Sequence, residues 1–176
     1  MNHNQNSQRK KIMSVCMSGI IAALYVALTM LSRAVGLDSG VIQLRLGEAL
    51  CILPLFSFAA VPGLTAGCLI ANLFCLAPWQ DLVFGTLATF LGALVCALMG
   101  VFYRRGCKVM FWLSPLPNIL SNTLIIPLVL RYAYDAEGTL PYFMLTVGIG
   151  EVLTSGVIGL ILFVALRKRL SKICGF

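Results

Sequence analysis

The sequence predicts an all-α, polytopic membrane protein: a bundle of six transmembrane helices with both termini in the cytoplasm. Three observations carry that prediction. The 176 residues are 60% hydrophobic and 11% charged, where a soluble domain is about 25% charged, and the mean hydropathy is +0.96. The chain divides into six apolar segments, and one crossing needs about 20 apolar residues. The net charge of +7 is concentrated. Ten of the thirteen basic residues form three clusters at segment ends: Arg9, Lys10, Lys11; Arg104, Arg105, Lys108; and Arg167, Lys168, Arg169, Lys172. That is the positive-inside pattern and not a nucleic-acid-binding face.

Residues 1–11 are polar and read as a disordered cytoplasmic tail, followed by a membrane domain over 12–170 and a second tail at 171–176. The first span, Ile12 to Ala34, is too long for a signal-peptide core. It carries Gly19, Ala23 and Ala27 four residues apart, a flat stripe on which another helix can pack closely, inside the bundle or on a partner protein. Residues 35–45 form an outer loop, an extended flap if the weak alternation Val41-Ile42-Gln43-Leu44 is expressed. Span two, Leu46 to Ala60, ends at Val61-Pro62-Gly63, a turn signal. Span three, Leu64 to Ala77, is rich in small residues and holds Asn72. Both are short, so the expectation is two full but short crossings in preference to a re-entrant pair.

Pro78-Trp79-Gln80-Asp81 is the next outer turn. Span four, Leu82 to Tyr103, is uninterrupted. Span five, after Lys108, is broken by Ser114-Pro115-Leu116-Pro117 and then shows Asn118, Ser121, Asn122 and Thr123. Span six, Leu140 to Leu166, carries Gly148, Gly150, Glu151, Thr154 and Ser155. In this topology the basic clusters are cytoplasmic. The six acids (Asp38, Glu48, Asp81, Asp135, Glu137, Glu151) fall in outer loops or the outer half of the membrane.

Two acids lie inside spans. Glu151 is about eleven residues into span six, roughly 16 Å along a helix. An ionised carboxylate there costs several kcal/mol unless it is paired, hydrated or occupied by a ligand. Glu48 follows Arg45 by one turn, so it either pairs with that arginine or meets a ligand. Asn72, Asn118 and Asn122 are buried amides, able to recognise a flat heterocycle or to join helices. Trp79 stands beside Asp81 above the presumed pocket; Trp112, Tyr132, Tyr134 and Tyr142 read as interfacial anchors. The seven cysteines form no CxxC and the single histidine is His3, so neither a metal site nor a cofactor is expected. No phosphate loop and no paired catalytic motif is present, so the chain is expected to be no enzyme and to borrow any ATPase it needs.

The run from Ile42 through Gln43-Leu44-Arg45-Leu46-Gly47-Glu48-Ala49-Leu50 to Pro54 resembles the QueT family of queuosine-precursor transporters. So do Ala60-Val61-Pro62-Gly63-Leu64, Gly67 to Asn72, Asp81 to Thr89, Pro117-Asn118 with Asn122, and Gly150-Glu151. The likeness covers residues 10–168. It implies the substrate-binding S component of an energy-coupling-factor (ECF) importer, a six-helix bundle in the bacterial cytoplasmic membrane. The implied partners are a transmembrane coupling protein and two cytoplasmic ATPases. In this resemblance the stripe Gly19, Ala23, Ala27 would meet the coupling protein. The implied cargo is a 7-deazaguanine: the 7-aminomethyl or 7-cyano base, or queuine. The expected site is Glu48, Glu151, Asn72, Asn118, Asn122, Arg45, Asp81 and Trp79. One carboxylate would accept the guanine N–H and amino groups together, and an Asn would donate to the 6-oxo group. The alternative is a stand-alone permease for a nucleobase-like or vitamin-like compound, with Glu151 as proton carrier.

Overall fold

The computed structural model describes residues 3–37, 42–134 and 137–165, and among these every regular element is helical. In order they are α1 (His3–Ala34), a 3-10 segment (Leu46–Leu55), α2 (Ala60–Phe74), α3 (Trp79–Arg104), α4 (Val109–Leu113), α5 (Leu116–Tyr132) and α6 (Leu140–Glu151). After α6 the chain enters a π-helical stretch, Val152–Ile158, and stays helical to Ala165. Four runs are long and apolar enough to cross a membrane: Ser7–Ala34, Trp79–Arg104, Val109–Tyr132 and Leu140–Ala165. The outward faces of these helices carry large apolar side chains, among them Ile20, Leu24, Val83, Leu98, Leu120, Leu145 and Ile161. So much exposed apolar surface suits lipid and not water.

The other two segments differ from the expectation. Leu46–Leu55 is a 3-10 helix and not an α-helical span. At about 2.0 Å per residue its ten residues reach about 20 Å, as far as a longer α-helix would. Eight of the ten are buried, and the segment packs against α1, α2, α3 and the π stretch. Irregular backbone at membrane depth is tolerated only inside such a protein sheath. The break after it also moves. Val61-Pro62-Gly63 is no turn; α2 starts at Ala60 and Pro62 sits in its first turn, where a missing N–H has no partner to lose. The chain reverses at residues 56–59 instead, where Ser57 Oγ accepts the Ala59 N–H (3.3 Å). The break at Ser114 and Pro115 is where the sequence places it, between α4 and α5.

Residues 3–11 are not a loose tail: α1 is helical from His3. The stretch holds no Gly or Pro, and adding turns to an existing helix requires no new nucleus. The basic cluster Arg167, Lys168, Arg169, Lys172, the tail 171–176 and the loop positions Asp38, Ser39, Gly40 and Asp135 lie outside the described residues.

Helix α1 packs on α2, α2 on α3, α3 on α5, and α5 on α6. The core between them is built from Tyr25, Leu50, Cys51, Leu64, Cys68, Ala71, Ala93 and Ala97. Small residues set the spacing. A Cβ on Gly67 would stand 2.8 Å from Tyr25 Cβ and 3.0 Å from the Ala22 carbonyl oxygen, so α1 and α2 touch backbone to backbone.

The two ends of the bundle are chemically distinct. At one end Ser18 Oγ donates to the Ala59 carbonyl (2.7 Å) and Arg104 Nη1 donates to the Leu55 carbonyl (3.4 Å). The rings of Phe56 and Phe163 stack at 4.5 Å, with Phe111 on Phe163 at 4.6 Å, which closes that end with aromatic packing. Ser32, Arg45, Asp81 and Tyr134 gather at the opposite end.

Candidate functional site

The site is organised by a strap and by the 3-10 segment that follows it. Arg45 is extended (φ −94°, ψ 98°). The Leu44 N–H donates to the Leu37 carbonyl (2.9 Å), and the Leu46 N–H donates to Ser32 Oγ (2.8 Å). The strap crosses α6 at Gly150, where an added Cβ would collide with the Gln43 carbonyl. Gly150→Ala is therefore expected to displace the strap, destabilising the protein by about 1–3 kcal/mol and weakening ligand binding. Thermal unfolding and titration in detergent check both.

Glu48, three residues beyond Arg45, is 2% exposed. Tyr25 Oη donates to its Oε1, while Cys51 Sγ (3.1 Å) and Asn118 Nδ2 (2.9 Å) approach its Oε2. The same Asn118 nitrogen lies 3.1 Å from Glu151 Oε2 and 3.2 Å from Ser155 Oγ. One amide therefore joins two carboxylates 103 positions apart in sequence. An amide NH2 has two hydrogens, so it cannot serve all three oxygens together. Glu48 has three side-chain donors around it, and Asn118 is the one that it shares with Glu151. The wide π turn begins at the next residue, and its Thr154 and Ser155 are both 1% exposed. Such bulges shift side-chain register and recur at functional sites.

Above the carboxylates lies a cavity of about 20 Å³ walled by Gln43, Arg45, Glu48, Thr89, Asn122 and Glu151, among others. That volume admits one water-sized group. It adjoins a larger cavity of about 400 Å³, with Gln43, Arg45 and Ile126 in both walls. The larger one is also lined by Thr29, Asn72, Asp81 and Tyr134, and it reaches exposed Arg33. Small-molecule sites usually enclose about 300–1,000 Å³, and the outer cavity falls within that range.

Asp81 organises the outer cavity. It is 2% exposed. Its Oδ2 accepts from Tyr134 Oη (3.0 Å) and pairs with Arg45 Nη2 (3.6 Å), and its carbonyl accepts from Asn72 Nδ2 (3.4 Å). Asp81 Oδ1, Asn122 Nδ2 and Thr29 Oγ1 are buried without a hydrogen-bond partner. Buried polar atoms are rarely left so, and these three residues line the two cavities.

Seven of the expected residues thus converge: Arg45, Glu48, Asn72, Asp81, Asn118, Asn122 and Glu151. Trp79 does not join them. It is 67% exposed at the start of α3 and walls neither cavity. Tyr134, expected as an interfacial anchor, instead donates to Asp81 from the cavity wall. Tyr25 and Ser155 are additions to the expected set; a tyrosine hydroxyl within an apolar helix requires a buried partner, and Tyr25 signals that in the sequence. Gly19, Ala23 and Ala27 all point away from the bundle, and nothing lies within 4 Å of a Cβ built on Gly19. The stripe therefore does not pack inside its own bundle.

The family model for the QueT transporter matches residues 15–168. The chain belongs to the QueT transporter family. It is thus a member of a membrane transporter family and not of an enzyme family. It is 33% identical over 106 residues to the queuosine precursor transporter QueT of Lactococcus lactis subsp. cremoris, an alignment covering 60% of each chain. No solved structure matches. In QueT-family terms, the polar column from Asp81 down to Glu151 lies wholly within the matched region.

Proposed function

We propose that the chain is the substrate-binding S component of an ECF importer, capturing a queuosine precursor from outside the bacterial cytoplasmic membrane. The cargo in this reading is 7-aminomethyl- or 7-cyano-7-deazaguanine, or queuine. The observation that carries it is the polar column: two buried carboxylates bridged by Asn118, under a cavity of about 400 Å³ with its own acid, Asp81. A 7-deazaguanine offers clustered N–H donors, one carbonyl acceptor and, in the aminomethyl base, a cation. Carboxylates and amides are its chemical complement.

In the proposed topology there are six crossings with cytoplasmic termini, the 3-10 segment and α2 being the two short ones. The sidedness is supported by charge. Arg9, Lys10, Lys11, Arg104 and Arg105 belong to the aromatic-closed end, opposite the cavity, so the positive-inside rule turns the cavity outward. The outward stripe Gly19, Ala23, Ala27 is the proposed surface for the coupling protein, which with two ATPases would supply the energy. Ala23→Leu with Ala27→Leu is expected to leave ligand affinity and stability nearly unchanged, since both positions are exposed, and to abolish uptake. Titration of the purified protein and uptake by cells separate the two effects.

The deciding experiment is calorimetry in detergent with 7-aminomethyl-7-deazaguanine, the 7-cyano base, queuine, guanine and riboflavin. Binding of a deazaguanine well above guanine supports the reading. Binding of none of them overturns the cargo. Uptake that survives loss of the ATPases but collapses with an uncoupler identifies a stand-alone permease.

A further inference from the structure

The two cavities differ in what they offer a guest. The inner one is walled by Glu48 and Glu151. A third acid turns an oxygen toward it: Asp81 Oδ1, buried without a partner, lies against Gly85 in that wall, 2.7 Å from where a Cβ would stand. The outer cavity is lined by Arg33 and Arg45 against the single acid Asp81, whose Oδ2 is taken by Tyr134 and Arg45. Donor groups of a guest therefore suit the inner end and acceptor groups the outer end. Two protein donors also share the inner wall. Arg45 lines both cavities and is tied to Asp81. Asn122 is 3% exposed, and its Nδ2 has no partner. The inner end thus suits donors with an acceptor beside them. Its volume, about 20 Å³, admits one water-sized group, and an amino group is of that size. A 7-deazaguanine has one end of this description. Its 2-amino group is flanked by N1–H, a donor, on one side and by N3, an acceptor, on the other. The 6-oxo group and the C7 arm lie together on a different edge. They point nearly the same way, and away from the 2-amino group.

We infer that the ligand enters 2-amino group first: that group fills the inner cavity, Glu151 accepts from it and from N1–H, and Asn122 Nδ2 donates to N3. The 6-oxo group and the C7 arm then share the outer cavity, where Arg45 donates to the 6-oxo oxygen. This rests on the deazaguanine reading above and assigns the specificity-determining residues within it. Glu151 selects a 2-amino ring, and Asn122 selects a ring with an acceptor at position 3. The size of the inner cavity rejects a substituent on the 2-amino nitrogen. A longer arm at C7 is tolerated, because it lies in the larger cavity.

The test is calorimetry on the purified full chain in detergent. The parent probe is whichever of the 7-aminomethyl and 7-cyano bases binds more tightly. The other probes are its 2-methylamino, 2-deamino and 3-deaza derivatives and a version with a longer C7 arm. Wild type is expected to bind each of the first three about tenfold or more weakly than the parent, the usual effect of losing a buried hydrogen bond or overfilling a packed site. The longer arm is expected to change affinity by less than about threefold. Asn122→Ala is expected to bind the parent about tenfold more weakly and to level the parent and 3-deaza ligands while still rejecting the 2-methylamino one. A merely structural asparagine would weaken all the ligands alike and leave their ratios unchanged. An unchanged ratio of parent to 3-deaza ligand in Asn122→Ala therefore overturns the role of Asn122. A 2-methylamino ligand bound as tightly as the parent, or a longer arm rejected in its place, overturns the inward 2-amino group. If neither parent base binds, the deazaguanine reading itself has failed and this assignment falls with it. If a parent binds and its derivatives bind equally well, only this assignment falls.

Discussion

Glu151→Gln is expected to weaken binding of the cognate deazaguanine by about a hundredfold or more while leaving the fold intact. The side chain keeps its length and one acceptor oxygen, so Asn118 retains a partner at the Glu151 position. One of its two oxygens becomes an NH2, which now faces the ligand's own N–H donors. A hydrogen bond contributes about 0.5–1.5 kcal/mol and an unmet buried donor costs a further ~1–3 kcal/mol; a factor of ten corresponds to about 1.4 kcal/mol. Stability is expected to hold or rise, because the substitution removes one of two carboxylates that share a single amide. Titration gives the affinity and thermal unfolding in detergent gives the stability. Near-normal affinity would remove Glu151 from the site.

The contrast with Glu48 sharpens this. Glu48 is surrounded by Tyr25, Cys51 and Asn118, so its carboxylate belongs first to the scaffold. The two glutamates look alike in the sequence, as lone acids in apolar segments. Only the three-dimensional set of donors separates them.

The polar residues were legible in the sequence for a simple reason. In a chain that is 11% charged, an acid or amide within an apolar run must be neutralised or used, so its presence is informative by itself. Glu48, Asn72, Asn118, Asn122 and Glu151 were all accessible to that argument, and they fall on one column with Asp81, which the sequence places in an outer turn and the structure in the first turn of α3. The four long helices were legible from length and apolarity. The 3-10 form of Leu46–Leu55 was not. Whether an N–H bonds three or four residues back depends on how tightly neighbouring helices confine the segment, and this one is enclosed by α1, α2, α3 and the π stretch. The π turn after Glu151 was hidden for the same reason. Pro62 misled because Pro followed by Gly reads as a turn, while a proline in a first helical turn loses nothing. Tyr134 looked like a lipid-surface anchor because its partner, Asp81, is 53 residues away.

Asn118 is where these separations meet, and its replacement is expected to have the largest structural effect of any single change in the site. Helix α5 supplies it, the 3-10 segment supplies Glu48, the end of α6 supplies Glu151 and the π stretch supplies Ser155; the residue itself is fully buried. Asn118→Leu has nearly the same volume and no donor. It leaves both acids facing each other across an apolar group, and each loses a hydrogen bond. Breaking a buried polar network on one side costs about 3–5 kcal/mol, enough to remove a large part of the stability of a small domain. Asn118→Asp places a third acid against the other two and is expected to be the worse of the pair. The measurement is thermal unfolding of both variants, alone and combined with Glu151→Gln. If the shared amide is what holds the two acids together, Glu151→Gln restores part of the stability that Asn118→Leu loses, because the Gln amide itself supplies a donor between the two positions. Strictly additive losses would mean that Asn118 acts through packing alone, and the bridge between Glu48 and Glu151 would have no energetic content.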